Sequence, residues 1–238
     1  MGDNVKPLGQ KSYGSIGHLP GSRLGPGDHK VTDGQERILC EKTRDKHDVV
    51  IVQEKLDGSN VCIANIDGNI LALSRAGYLA STSPYPLHHR FAEWVDRRGH
   101  DHWRQAIAPG SRLCGEWLVQ AHGTRYALPH EPFVAFDRMT GMNRALYDDF
   151  LETCEVADVV TAKLVSHGGP CSVQRSQEIL GVSGFHGADF CEGAVWRVER
   201  KGKVDFLAKY VRPQKVDGCL LPAISGKEAV MNTWVASE

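Results

Sequence analysis

The chain has 238 residues, a length that suits one large domain or two small ones and suffices for a buried core. Lys and Arg total 28 against 29 Asp and Glu, a formal net charge of −1, so overall charge demands no nucleic-acid partner and any basic surface must be local. Seven cysteines without a Cys-x-x-Cys pair, several inside apolar runs such as Val61-Cys62-Ile63, read as reduced core residues of an intracellular protein. With no signal peptide and no spanning apolar run, a soluble, cytoplasmic protein is expected.

Residues 1–35 form an irregular Gly/Pro-rich lead-in, expected to pack on the core through Tyr13, Ile16 and Leu19. Within it, Gly21-Ser22-Arg23 has backbone amides and a guanidinium to offer a phosphate. The run Val49-Val50-Ile51-Val52 then reads as a strand that ends in Glu54-Lys55-Leu56-Asp57-Gly58-Ser59-Asn60. Alone, Lys-x-Asp-Gly is also an ordinary solvated turn. A lysine at the end of a buried strand is nonetheless placed to act as a nucleophile, because burial and nearby cations favour the neutral amine.

Strands 61–66 and 69–74 flank Asp67-Gly68, a strong two-residue hairpin signal. That register pairs Ile66 with Asn69 and Asn60 with Arg75, returning a guanidinium to the neighbourhood of Asp57 and Lys55. The apolar residues Leu87, Phe91, Trp94 and Val95 follow helical spacing over 87–98. Eleven histidines raise a metal site, but the adjacent pair His88-His89 points to different sides and reads as polar helix surface rather than zinc ligands.

Further strands are expected at 112–119, 132–137 and 159–165, with helices at 148–156 and 172–180, the second ended by Gly181. A second hairpin, 192–198 with 204–211, turns through Arg200-Lys201-Gly202-Lys203. Centring the turn pairs Ala194 with Lys209 and sets Glu192 and Lys209 on one face, either as a simple ion pair or as part of a phosphate and metal site.

Five pieces stand in order: Lys55-Leu56-Asp57-Gly58, Ser74-Arg75-Ala76-Gly77, Cys114-Gly115-Glu116-Trp117, Phe133-Val134-Ala135-Phe136-Asp137, and Glu192-Gly193-Ala194-Val195 followed by Leu207-Ala208-Lys209-Tyr210. Together they resemble the covalent nucleotidyltransferase superfamily of ATP-dependent RNA ligases, DNA ligases and capping enzymes, over roughly residues 49 to 213. Gly58-Ser59-Asn60 and Phe136-Asp137 resemble phage-type RNA ligases that seal nicks in duplex RNA, and the lead-in is similar to that of small stand-alone RNA-ligase-like proteins.

The resemblance implies an α+β nucleotidyltransferase fold, with antiparallel sheets, flanking helices and an ATP pocket between them. It implies an adenylation domain at 36–215 and a short tail at 216–238 with no room for an oligonucleotide-binding domain. Lys55 would attack the α-phosphorus of ATP and hold AMP as a phosphoramidate. Asp57 and Asn60 would sit near the ribose and the metal's water shell, and Arg75 near the ribose or the nucleic-acid end. Glu116 would bind ribose hydroxyls or support a metal, Phe136 would stack on adenine, and Glu54 would frame it. Glu192 would hold hydrated Mg²⁺ (or Mn²⁺), making Asp57, Glu116 and Glu192 the metal set, and Lys209 would neutralise the α-phosphate. The family's last motif often reads Lys-x-Lys; here Lys209-Tyr210-Val211-Arg212 moves the second cation by one residue, and Arg212 is its stand-in.

The expected partner is RNA with 5′-phosphate and 3′-hydroxyl ends, a nicked duplex above all, with a protein partner in place of the C-terminal domain. Lys42, Arg44, Lys46, Arg90, Arg97, Arg98 and the loop His122-Gly123-Thr124-Arg125 are candidates to grip it. Two alternatives stay open. One keeps the chemistry on another substrate, as a minimal DNA ligase or other end-adenylating enzyme. The other is a module that binds RNA ends without sealing them.

Overall fold

In the computed structural model of the chain, the described residues are 6–181 and 185–235; the first five residues of the lead-in and the last three of the tail lie outside them. In chain order the elements begin with β1 (Gly17–His18), α1 (Asp33–Cys40), β2 (Asp48–Lys55), β3 (Ser59–Ile66) and β4 (Asn69–Ser74). They continue with α2 (Pro86–Arg98), α3 (His100–Ala106), β5 (Ser111–Trp117), β6 (Ala127–Leu128), β7 (Phe133–Thr140) and β8 (Asn143–Arg144). Then come α4 (Tyr147–Val156), β9 (Val160–Thr161), β10 (Leu164–Gly168), α5 (Val173–Leu180), β11 (Gly193–Arg200), β12 (Lys203–Val211), α6 (Pro222–Ser225) and β13 (Thr233–Trp234). The α+β class with antiparallel sheets and flanking helices is as the sequence leads one to expect. No described helix is long and apolar enough to cross a membrane.

The chain divides into two compact units. The first comprises the described residues of Met1–Gly14 with Ser59–Trp117 and Phe133–Thr161. Its sheet has the order β4-β3-β5-β7-β8, with β9 parallel to β7. The Asp67-Gly68 turn has positive φ at both residues, 51° and 84°, and sets the register as expected: Ile66 opposes Asn69, and the Arg75 amide donates to Asn60 O at 3.1 Å. Phe91, Trp94, Trp103, Trp117 and Phe133 stack in its core beneath α2 and α3. Tyr13 of the lead-in is buried here, its hydroxyl donating to Asp137 Oδ2 at 3.0 Å.

The second unit comprises Ser15–Gly58, Leu118–Pro132 and the described residues of Ala162–Glu238. Its main sheet has the order β1-β12-β11-β2-β10. Val50, Val52, Ala194, Trp196, Val198 and Ala208 point to one face, where Leu39 of α1 and Leu180 of α5 close the core. Strand alternation leaves Gln53, Lys55 and Lys209 on the other face. Helix α1 starts at a capping box in which Thr32 and Gln35 exchange hydrogen bonds, a signal present in the sequence but hidden by the Gly/Pro-rich residues before it. The strand expected at 159–165 is split: β9 joins one sheet and β10 the other.

At the start of β2, Asp48 is buried between two guanidiniums, with Arg44 and Arg200 each 2.8 Å away. Arg44 also reaches Asp205 at 2.6 Å, and Arg200 reaches Asp45 at 2.7 Å. Burial pushes the Asp48 carboxyl up, but hydrogen bonds from Arg44 and Arg200 outweigh it and bring the pKa down to about 2. A depressed carboxyl stabilises the fold above its unfolded value and loses that contribution as pH falls through the folded one. The unfolding free energy from urea titrations should therefore drop between about pH 4 and pH 2. Asp48→Asn should remove about 2 kcal/mol at neutral pH and flatten that acid limb.

Candidate active site

Lys55 is the last residue of β2 and lies opposite Gly193, which in turn opposes Val211. Only glycine fits at 193, because a Cβ there would stand 1.8 Å from Tyr210 O. The Lys55 ammonium is 2.5 Å from Glu192 Oε2, in a pair whose side chains are 23% and 9% exposed. Burial raises the Glu192 pKa; Lys55 and Lys215 oppose the shift and Asp57 adds to it. Glu54, almost fully buried, donates its amide to Lys163 O at 2.9 Å.

Asp57 is held from two segments outside the five sequence motifs. Its amide donates to Tyr126 Oη at 3.1 Å, and its carboxylate pairs with the buried ammonium of Lys215. Gly123 leaves the room: a Cβ there would lie 2.6 Å from Lys215 Nζ and 3.1 Å from Asp57 Oδ2. Burial lowers the pKa of His122 beside this pair, with Asp57 opposing and the lysines reinforcing the shift. Burial likewise raises that of Tyr126, helped by the Asp57 charge. Lys215 and Tyr126 lie outside the site residues expected from the sequence, and His122 was expected only within a loop that grips the substrate. Of the first two, only Lys215 carried a signal there, as the next cation after Arg212.

Arg212 is engaged elsewhere. Its guanidinium donates to the carbonyls of Cys191 and Phe190 and stacks on the Phe190 ring at 5.0 Å, while its amide bonds Glu192 O at 3.0 Å. It braces the segment that presents Glu192. Among the sequence candidates for gripping a substrate, Arg44 is paired as described, Arg125 meets Asp189 at 2.7 Å, and Arg98 meets Asp158 at 3.2 Å over the Trp94 and Trp103 rings.

The second hairpin corrects a sequence expectation. Lys209 opposes Val195, not Ala194, because β12 bulges where Asp205 is inserted between the pairs Val198–Phe206 and Glu199–Val204. The bulge residue is the one that meets Arg44. The slip puts Lys209 on the Lys55 face, in a row that runs Gln53, Val195, Lys209, His18 across four strands. Glu192 precedes β11 and reaches Lys55.

In the first unit, Asn60 of β3 lies directly opposite Glu116 of β5, and its carbonyl accepts the amide of Arg75, the residue after β4, so three expected site residues lie in one row. Phe136 occupies a bulge: Gly115 pairs with Ala135 and Cys114 with Asp137, and the skipped residue packs edge-on against Tyr13 at 5.1 Å. Asp137 is fully buried and anchors Tyr13 and Arg144. Asn60 Oδ1 is buried with no hydrogen-bond donor, as an oxygen awaiting a ligand hydroxyl or water would be.

Among the described residues, no group of three or more His, Cys, Asp or Glu is arranged to hold a metal. The carboxylates of Asp57 and Glu192 belong to one unit and are hard oxygen donors. They suit Mg²⁺ or Mn²⁺ bound largely through water, which needs only one or two carboxylates.

The family model for RNA ligase matches residues 48–211. No curated protein matches the chain. Among solved structures, an archaeal ATP-dependent RNA ligase aligns at 20% identity and a TM-score of 0.50, covering 84% of this chain and 48% of its own. A candidate ATP-dependent DNA ligase from Aquifex aeolicus aligns at 19% and 0.53, covering 84% and 49%. A mutant Naegleria gruberi RNA ligase with ATP and Mn aligns at 15% and 0.52, covering 82% and 59%. These likenesses show the fold, and the chain spans about half the length of the first two structures.

Removing one member of a buried ion pair strands the other charge. Lys215→Met should lower the unfolding free energy by about 3–5 kcal/mol, read by urea denaturation. The double variant Asp57→Asn, Lys215→Met should cost clearly less than the sum of the single changes.

Proposed function

We propose that this chain, which belongs to the RNA ligase family, uses ATP to join RNA 5′-phosphate and 3′-hydroxyl ends through a lysyl-AMP formed on Lys55. The observation that carries the reading is the Lys55–Glu192 contact: an amine at the end of a buried strand, 2.5 Å from a carboxylate whose pKa burial has raised. Lys55 must be neutral to attack. Passing its proton from Nζ to Glu192 Oε2 discharges both groups at once and leaves no unpaired charge in a buried place.

In the proposed sequence the Lys55 lone pair forms a bond to the α-phosphorus of ATP, the bond to the bridging oxygen breaks, and pyrophosphate leaves. Lys209, on the same sheet face as Lys55, meets the charge that builds on the α-phosphate. An RNA 5′-phosphate oxygen then takes the AMP from Nζ, and a 3′-hydroxyl displaces AMP to close the phosphodiester. Lys215 keeps Asp57 in place beside the nucleophile, which makes Lys215, rather than Arg212, the second cation of this centre. Asn60, Arg75, Glu116 and Phe136 are the nucleotide-binding residues of the first unit, with the open oxygen of Asn60 suited to a ribose hydroxyl. Glu54 frames the base through its backbone. Mg²⁺ or Mn²⁺ held largely through water by Asp57 and Glu192 would supply positive charge next to the phosphates.

A DNA nick is the second reading, favoured by the comparable likeness to the Aquifex aeolicus structure. Nicked RNA, DNA and hybrid duplexes offered in parallel distinguish the two: sealing confined to a DNA 3′-hydroxyl would replace the RNA reading. The preference for a duplex nick rests on the resemblance of Gly58-Ser59-Asn60 to nick-sealing ligases.

Incubation with ATP and Mg²⁺ should add one AMP to the protein by mass spectrometry, mapped to Lys55. Lys55→Ala should abolish the adduct, and Glu192→Gln should slow its formation by about a hundredfold or more. Wild-type protein that stays unmodified with both Mg²⁺ and Mn²⁺ would overturn the reading.

A further inference from the structure

The family match begins at residue 48, yet the sheet that carries Lys55 and Lys209 has an edge strand from well upstream. Strand β1 runs parallel to β12 and places His18 beside Lys209. Backbone bonds extend the pairing along the lead-in: Leu19 N donates to Lys209 O at 2.8 Å and Arg23 N to Val211 O at 2.9 Å. Ser22 Oγ accepts the Val211 amide at 2.9 Å and lies 2.7 Å from His18 Nδ1. The chain then doubles back, with His18 bonded to His29 and Val31 through its own N and O, and this return brings in Asp28. One Asp28 oxygen accepts the Gly25 amide at 2.9 Å and lies 3.1 Å from His18 Nε2; the other faces Lys209 Nζ at 3.8 Å. The His18 side chain is 2% exposed, that of Lys209 15% and that of Asp28 28%.

We propose that residues 17–31 are a working part of the nucleotide-transfer centre, with Asp28 as a positioning residue that holds the Lys209 ammonium toward the phosphate and His18 as the brace that fixes Asp28. The inference rests on the reading of Lys209 as the cation that meets the α-phosphate. A lysine side chain has a flexible four-carbon stem and loses rotamer freedom whenever its charge must sit in one place. A carboxylate fixed by a backbone amide and a buried imidazole restricts that freedom before the nucleotide arrives. At 3.8 Å the pair is loose enough for the ammonium to turn to a phosphate oxygen without leaving its guide. His18 serves as a neutral ring. Burial first, and then the Lys209 charge, disfavour its protonated form; its Nδ1 meets the Ser22 hydroxyl at 2.7 Å, and its Nε2 packs 3.1 Å from Asp28. Nothing is transferred to or from either residue; both act through Lys209.

The test is a double-mutant cycle on the full chain, reading the single-turnover rate of lysyl-AMP formation from ATP labelled at the α-phosphorus. Asp28→Ala and Asp28→Asn should each slow that rate by about tenfold at saturating ATP, the lower end for residues that orient a functional group. Asp28→Glu should recover most of it, and Asp28→Ala should have less than about a twofold effect in a Lys209→Ala background. A second readout needs no nucleotide. Lys209 should react with acetic anhydride about two- to fivefold faster in Asp28→Asn than in the wild type, the range expected for unmasking an amine from such an ion pair. Asp28 variants that label at the wild-type rate, or lose the same factor with and without Lys209, would overturn the positioning role. So would an Asp28→Asn loss that merely tracks a fall in unfolding temperature to the assay temperature. Lys209→Ala labelling as fast as the wild type would instead remove the premise about Lys209, a result distinct from both.

Discussion

Opposite charges buried in pairs are the constraint around which the Lys55 unit is built. Lys55 and Glu192 face each other at 2.5 Å, and Asp57 and Lys215 close on each other two residues along. A lone charge on any of the buried partners, Glu192, Asp57 or Lys215, would be costly, whereas each pair is tolerable. The pairs also explain the bracing around them. Arg212 holds the carbonyls before Glu192, Tyr126 receives the Asp57 amide, and Gly123 and Gly193 lack the side chains that would wedge these groups apart. An ionised pair of this kind can discharge by moving one proton, which leaves neither partner as a lone charge.

Two β-bulges decide which side chains meet. In the first unit the bulge at Phe136 takes that ring out of strict alternation, while Asn60 and Glu116 remain directly opposed. In the second, the bulge at Asp205 shifts β12 by one residue, which moves Lys209 to the Lys55 face. Because side chains alternate with a period of two, a single inserted residue reverses the face of everything beyond it. Asp205, the bulged residue, is itself part of the Arg44–Asp48–Arg200 network at one end of the sheet, and Lys209 lies beyond it on the same strand.

The near-neutral composition is consistent with this architecture. Many of the cations that a reader would assign to a nucleic-acid surface are already matched: Arg44 with Asp48 and Asp205, Arg125 with Asp189, Arg98 with Asp158. The lead-in also has a structural role, with Tyr13 anchored in one unit and Leu19 in the other. Neither residue is remarkable in the sequence beyond being apolar among glycines and prolines.

Much of the fold was legible from local signals. The Asp67-Gly68 turn set the first hairpin to the residue, because a two-residue turn permits one register. Apolar runs marked β2 and β5, and helical spacing marked α2. The order of the five motifs sufficed to place the chain in its family. Contacts that depend on packing were not legible. Lys215 and Asp57 are 158 positions apart, and neither residue's neighbours announce the other. His18, Asp28 and Lys209 meet only because a short parallel strand seats the lead-in against β12. The bulge at Asp205 had no turn residue to mark it, and the partner of the bulged residue, Arg44, lies far away in the sequence. Local chemistry, written in adjacent residues, determined the elements and the order of the motifs; long-range pairing of buried charges, which no adjacent residues encode, decided what surrounds Lys55.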